Sequence, residues 1–95
     1  METPYYIIIR MKVLDGSIHY GKLFIGEDTE FARQLYDSLQ GHLNPKSQLM
    51  LYMDLVKGAG NTNLPIQSKA CTLEELTENC RIITRETFKF LNLEK

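Results

Sequence analysis

The sequence predicts an α+β fold of two layers, in which an antiparallel sheet of three or four strands has its helices mainly on one face. Three observations lead to this prediction. Extended segments flank a turn signal at Asp15 to Ser17, an amphipathic helical stripe begins at Asp28, and a regularly alternating run begins at Gln48. A short extended segment and two helical segments follow, so the expected element order is ββαβ(β)αα.

The composition indicates a single small globular domain spanning residues 1–95, with 43% hydrophobic and 24% charged residues. Eleven basic and twelve acidic residues leave a net charge of -1, so no global positive field attracts nucleic acid or anionic lipid. No apolar run is long enough to span a membrane, and none has the form of a signal peptide. We therefore expect a cytoplasmic protein without a membrane partner.

The first two strands are predicted as a hairpin. Aromatic and β-branched residues dominate from Tyr5 to Leu14, and the extended pattern resumes from Ile18 to Ile25. The residues between these segments, Asp15 to Ser17, have the composition of a tight turn.

The first helix is predicted over Asp28 to Gly41. Its apolar side chains recur at four-residue spacing: Phe31, Leu35, Leu39. Asp28 or Thr29 can cap its beginning, and Gly41 can end it.

The third strand is predicted over Gln48 to Val56, because apolar and polar residues alternate there. Lys57 to Asn63 has the glycine and asparagine content of a loop, and it lacks the ending of a phosphate-binding loop. The segment Leu64 to Ala70 is a candidate fourth strand, which Pro65 would confine to a sheet edge or a strand start. The sequence leaves open whether this strand forms.

The segment from Cys71 to Cys80 contains both cysteines of the chain. Thr72 and Glu75 have the spacing of a capping box, which predicts a helix from Leu73 to Cys80. The two cysteine Cα atoms would then lie about 12 Å apart, from ~1.5 Å of rise per residue. A disulfide needs about 7 Å or less, so we expect free, inert thiols.

The apolar face of this helix is predicted to comprise four residues: Leu73, Leu76, Cys80, Ile83. Thr84 is expected to cap a further short helix, in which Phe88 and Leu91 supply the buried side.

No metal or cofactor is expected, because the cysteines stand alone and His19 and His42 lack ligand spacing. A nucleophilic site would need Cys71 together with one of these histidines. A small-ligand enzyme of this kind is the least expected of the three functions.

The face of the sheet opposite the helices is the candidate interaction face. If alternate residues of the strands point at the helices, the remaining ones face outward, and Arg10 and Lys12 among them lie in solvent. The candidate interaction face comprises eight residues: Tyr6, Ile8, Arg10, Lys12, Tyr20, Lys22, Met50, Tyr52. Two structural explanations without a binding partner remain open. The side chains of this face serve only to cover the sheet, or the C-terminal helix folds across it.

The expected function is a small non-enzymatic protein-interaction domain that binds itself, as a homodimer, or another protein through the outer sheet face or an edge strand. The alternative is single-stranded nucleic-acid binding, in which tyrosines of this face stack on bases while Arg10, Lys12 and Lys22 contact phosphates. Asp54 and the near-neutral charge argue against that alternative, so a nucleic-acid partner is not expected.

Overall fold

The computed structural model describes residues 3–42, 51–59 and 62–92, which form a four-stranded antiparallel sheet and two helices. The elements in chain order are β1 (Tyr5–Val13), β2 (Gly16–Phe24), α1 (Thr29–Asp37), β3 (Leu51–Ala59), β4 (Thr62–Cys71) and α2 (Leu73–Asn92). The strand order in the sheet is β2-β1-β3-β4. The predicted α+β class and antiparallel sheet are confirmed, with element order ββαββα.

The first hairpin turns through Leu14 and Asp15, and Val13 pairs with Gly16 across it. Gly16 has a φ of +133°, which strongly favours glycine. Further along, Ile9 pairs with Gly21 while the next residue of β1 pairs with His19. Tyr20 is therefore the extra residue of a β-bulge in β2.

The predicted loop Lys57 to Asn63 lies largely in strands, so that prediction is wrong. Lys57 and Gly58 belong to β3 and pair with Leu64 and Asn63 of β4. Glycine is needed at position 58 because a Cβ there would lie 2.9 Å from Pro4 Cγ. Gly58 thus marks a close approach of the N-terminal segment to the sheet.

The candidate strand Leu64 to Ala70 is part of β4, which forms one edge of the sheet as Pro65 suggested. A second bulge lies beside this proline, because Leu55 pairs with Gln67 and Val56 with Pro65. The first residues of the predicted third strand, 48–50, lie outside the described residues.

Helix α1 begins as predicted, with the Asp28 carboxylate accepting a hydrogen bond from the Phe31 amide at 2.8 Å. The helix ends at Asp37, earlier than the predicted end at Gly41. Gly41 instead allows the chain to approach β4, since a Cβ at this position would lie 3.0 Å from the Ala70 carbonyl oxygen. His42 then forms an isolated antiparallel bridge with Ala70.

The predicted capping box at the start of α2 is confirmed. The Thr72 amide donates to Glu75 Oε1 at 2.9 Å, and the Glu75 amide donates to Thr72 Oγ1 at 3.1 Å. The prediction of two successive helices is wrong, because α2 runs unbroken for 20 residues. The Thr84 hydroxyl donates to the Cys80 carbonyl at 2.9 Å, so Thr84 is an interior helical residue rather than a cap.

The buried face of α2 also differs from the prediction. Leu73, Phe88 and Leu91 are exposed, although each was expected to be buried. Asn79 and Ile83 are the buried residues, and Phe90 stacks on Phe31 of α1 with ring centroids 4.1 Å apart. The buried side of the unbroken helix runs through residues 79, 83 and 90, which leaves positions 88 and 91 outside it.

The main core lies between the helices and the inward sides of the strands. Tyr36 of α1 is fully buried there, and its hydroxyl donates to the Met53 carbonyl of β3 at 2.6 Å. The buried core cluster comprises Tyr5, Ile7, Ile25, Ala32, Leu35, Tyr36, Leu39, Met53, Leu55, Cys71 and Ile83.

Candidate functional site

The residues of β1 that were predicted to point away from the helices do so. Tyr6, Ile8 and Arg10 alternate with the core residues of the strand. Opposite them on β3 lie Val56, Asp54 and Tyr52, in that order. Lys22 of β2 is opposite Ile8, whereas Tyr20 occupies the bulge and is exposed. Met50, the remaining member of the candidate interaction face on β3, lies outside the described residues.

One half of the outer face is apolar and covered by its own side chains. The Tyr6 ring lies 5.6 Å from that of Phe24, and the Lys22 ammonium group lies 4.3 Å from the Tyr6 centroid. Ile8 and Val56 are only 7% and 4% exposed. This half of the face therefore agrees with the structural alternative in which its side chains only cover the sheet.

The other half of the outer face is a polar network around Arg10. Its guanidinium donates to Asp54 at 2.8 and 3.1 Å and to Ser68 at 3.2 Å. It also donates to Ser17 at 3.3 Å and lies 4.4 Å from the Tyr52 centroid. The hydrogen bonds to Asp54 raise the pKa of Arg10 above its ordinary value. The network joins all four strands.

The expectation that Arg10 lies in solvent is wrong, while Lys12 is exposed as expected. The charge of Arg10 is neutralised by Asp54, and its guanidinium covers the Tyr52 ring. Lys22 covers the Tyr6 ring in the same way. Tyrosine rings that stack on bases need a free face, so this arrangement gives little support to nucleic-acid binding.

The Cys71 thiol lacks the environment of an activated nucleophile. Cys71 is 1% exposed at the end of β4, and burial raises the pKa of its thiol to about 11. Its thiol is therefore protonated at neutral pH and is a poor nucleophile. The His42 ring lies 3.9 Å from the Glu75 carboxylate, and His19 is exposed on β2. Among the described residues, no group of three or more His, Cys, Asp or Glu could hold a metal ion.

A cleft of about 530 Å³ lies between α1 and α2. Its walls include the stacked rings of Phe31 and Phe90. Two cations line it, and both face Glu86: Arg85 Nε lies 3.0 Å and Lys89 Nζ 3.8 Å from Glu86 Oε2. The charge of this cleft is therefore partly compensated within α2, and its geometry indicates no particular ligand.

The sequence analysis named an edge strand as a possible binding surface, but it did not identify β2 as that strand. In the described part of the chain, β2 has β1 as its only strand partner. Its outer edge is therefore open along nine residues. Ile18, Tyr20 and Phe24 are exposed on this strand.

A groove of about 320 Å³ continues from β2 onto α2. Phe24 lines it on the strand side, and Phe88 and Leu91 line it on the helix side, all three with exposed side chains. Thr87 also lines the groove, and its hydroxyl is buried without a hydrogen-bond partner. The exposed part of the groove that a partner could contact is therefore its apolar walls at Phe24, Phe88 and Leu91.

The two edges of the sheet differ in accessibility. Pro65 interrupts the donors of β4, a bulge distorts the strand beside it, and the His42 bridge covers its end at Ala70. Edge strands protected in this way resist pairing with other chains. β2 has one bulge and the charge of Lys22, but no described segment covers it.

Comparisons of the chain with models of protein families, with curated proteins and with solved structures found no match. In the part of the chain that the structure describes, no helix is long and apolar enough to cross a membrane. The β2 edge and its groove are the candidate functional site that the geometry supports best.

Proposed function

We propose that the protein is a non-enzymatic interaction domain that binds an extended protein segment along β2. The observation that carries this proposal is the open edge of β2, with exposed apolar side chains that continue into the groove on α2. An added strand forms main-chain hydrogen bonds with such an edge, and the neighbouring pocket selects its side chains.

The edge is favoured over the outer sheet face because the polar groups at the centre of that face already have partners. Arg10, Asp54 and Ser68 bond one another, and the aromatic ring of Tyr6 packs against Phe24. The main-chain groups along an open edge lack such partners and offer a template for another strand.

The remaining alternatives have less support. The covered rings of Tyr6 and Tyr52 disfavour a nucleic-acid partner, and the protonated thiol of Cys71 disfavours nucleophilic catalysis. Cys71 and Cys80 are free thiols, which suits the reducing cytoplasm that we expect as the location.

A selection from a library of displayed random peptides tests the proposal without a known partner. With the protein at high dilution, we expect enrichment of peptides with strand-like alternation and an aromatic or aliphatic anchor for the groove. Phe88→Asp should abolish their binding because it places a carboxylate in the apolar groove.

Leu73→Asp is the matched control, since Leu73 and Phe88 are both exposed apolar residues of α2, at 65% and 57%, but only Phe88 lines the groove. Circular dichroism confirms that both variants fold. A selection that enriches no peptide, or peptides that bind the Phe88→Asp variant as well as the wild type, would show that this surface is not a binding site.

A further inference from the structure

We infer that the strand that pairs with β2 is the β2 of a second copy of the chain, related by a twofold axis. The inference rests on the proposed function and names its partner. Two antiparallel β2 strands would join the sheets of both copies into one continuous sheet, which removes the open edge from each. A twofold interface requires a surface that is complementary to itself, and three features of β2 and its surroundings meet this requirement.

The first feature is the position of the hairpin tip. In an antiparallel pairing, residues equally far from the twofold axis lie opposite each other. With the axis at His19, one residue from the centre of β2, the tip residue Leu14 of one copy lies beside Phe24 of the other. The same juxtaposition occurs twice, once at each end of the paired strands.

The second feature is the fit of Leu14 to the groove. The side chain of Leu14 is fully exposed, at 103% of its reference area. The groove beside Phe24 is apolar, and it has exposed walls at Phe88 and Leu91. In the paired arrangement, each Leu14 enters the groove of the other copy, and both apolar surfaces leave water.

The third feature is charge. Asp15 is exposed at the hairpin tip next to Leu14, and Lys22 lines the groove near Phe24. The pairing that brings Leu14 to the groove therefore brings Asp15 of each copy close to Lys22 of the other. The two opposite-charge contacts favour this register over displaced ones.

A charge exchange between two variants tests the self-pairing. Sedimentation equilibrium at low ionic strength measures association of wild type, Asp15→Lys and Lys22→Asp at matched concentrations. We expect the wild type to dimerise. Each variant alone should dimerise about tenfold more weakly, because two attractive contacts become repulsive. An equimolar mixture of the two variants should recover dimers of wild-type affinity, since a mixed dimer restores both attractive contacts.

Glu74→Lys is the control for charge reversal as such, because Glu74 lies in the first turn of α2 and does not line the groove. Its association should match that of the wild type. Leu14→Ser provides a second variant should a charge reversal impair folding, and it should weaken dimerisation by removing the side chain that enters the groove.

A wild type that remains monomeric at the highest concentration would overturn the inference of a second copy. The peptide selection would then decide the proposed function separately, since it requires no self-association. A wild-type dimer that survives both charge reversals and the Leu14→Ser substitution unchanged would place the dimer interface elsewhere and also overturn the inference.

Discussion

Arg10 and Asp54 form two hydrogen bonds across β1 and β3, with Nε 2.8 Å from Oδ2 and Nη2 3.1 Å from Oδ1. The two side chains are 24% and 17% exposed, so solvent screens this pair less than a surface ion pair. Asp54 also accepts from the Ser68 hydroxyl at 2.6 Å. Hydrogen bonds between side chains of β1, β3 and β4 therefore fix the polar groups at the centre of the outer face.

Arg10→Glu should lower the free energy of unfolding by about 1 to 3 kcal/mol, since it sets two carboxylates against each other in a partly buried position. Lys12→Glu, on the same strand but exposed, should change it by about 0.5 kcal/mol or less. Urea unfolding of both variants measures the difference. Equal stabilities would mean that the ion pair contributes nothing to the fold.

Asn79 connects α2 to the segment that follows α1. Its side chain is 1% exposed, its Oδ1 accepts from the Gln40 amide at 2.8 Å, and its Nδ2 donates to the Gln40 carbonyl at 2.9 Å. The Asn79 side chain thus provides hydrogen-bond partners for both the main-chain amide and the main-chain carbonyl of Gln40, as a neighbouring strand would.

Asn79→Leu should destabilise the protein by about 1 to 3 kcal/mol, because both main-chain groups of Gln40 lose their partner while the side chain keeps its branched shape and its number of non-hydrogen atoms. Asn92→Leu is the control, since Asn92 is exposed near the end of α2. It should cost less than about 1 kcal/mol. Thermal unfolding of the two variants gives the comparison, and a smaller effect at position 79 would contradict this role.

The local patterns of the sequence predicted the parts of the fold that depend on neighbouring residues. The Asp28 cap and the Thr72 and Glu75 capping box involve side chains three residues from their backbone partners, so sequence spacing reveals them. The β1 and β2 hairpin has similarly short-range determinants.

The errors arose where a distant segment decides the structure. Gly58 lies in a strand because Pro4 packs against it, and no local pattern shows that contact. Thr84 can cap a helix or bond the preceding turn, and the packing of α2 selects the second. The open edge of β2 follows from the strand order, which the sequence analysis did not establish.

Lys69 of β4 acts at the carboxyl end of α1, whose last turn contains no basic residue. Its ammonium group is nearly buried and donates to the Tyr36 carbonyl at 2.8 Å and the Leu39 carbonyl at 3.0 Å. Carbonyl groups at the end of a helix attract a positive charge.

Lys69→Met should therefore cost about 1 to 3 kcal/mol, because the apolar stem is kept while two buried carbonyls lose a charged donor. Lys89→Met, at an exposed position of α2, should cost about 0.5 kcal/mol or less. Amide hydrogen exchange should also show faster opening at the end of α1 in the Lys69 variant alone. Unchanged protection there would argue against this interaction.

The buried thiol of Cys71 should make the fold less stable in alkaline solution. Burial raises the pKa of this thiol from its ordinary 9.0 to about 11 in the folded protein. Between these values the folded state keeps a proton that the unfolded chain has lost, so the free energy of unfolding falls as the pH rises. The loss amounts to at most about 3 kcal/mol, from ~1.4 kcal/mol per unit of pKa.

Urea unfolding at about pH 8 and about pH 10.5 should therefore show a larger decrease for the wild type than for Cys71→Ala, in which this thiol is absent. Cys80→Ala retains Cys71 and should retain most of the decrease. Equal decreases in the wild type and the Cys71→Ala variant would show that the thiol titrates alike in the folded and unfolded chains.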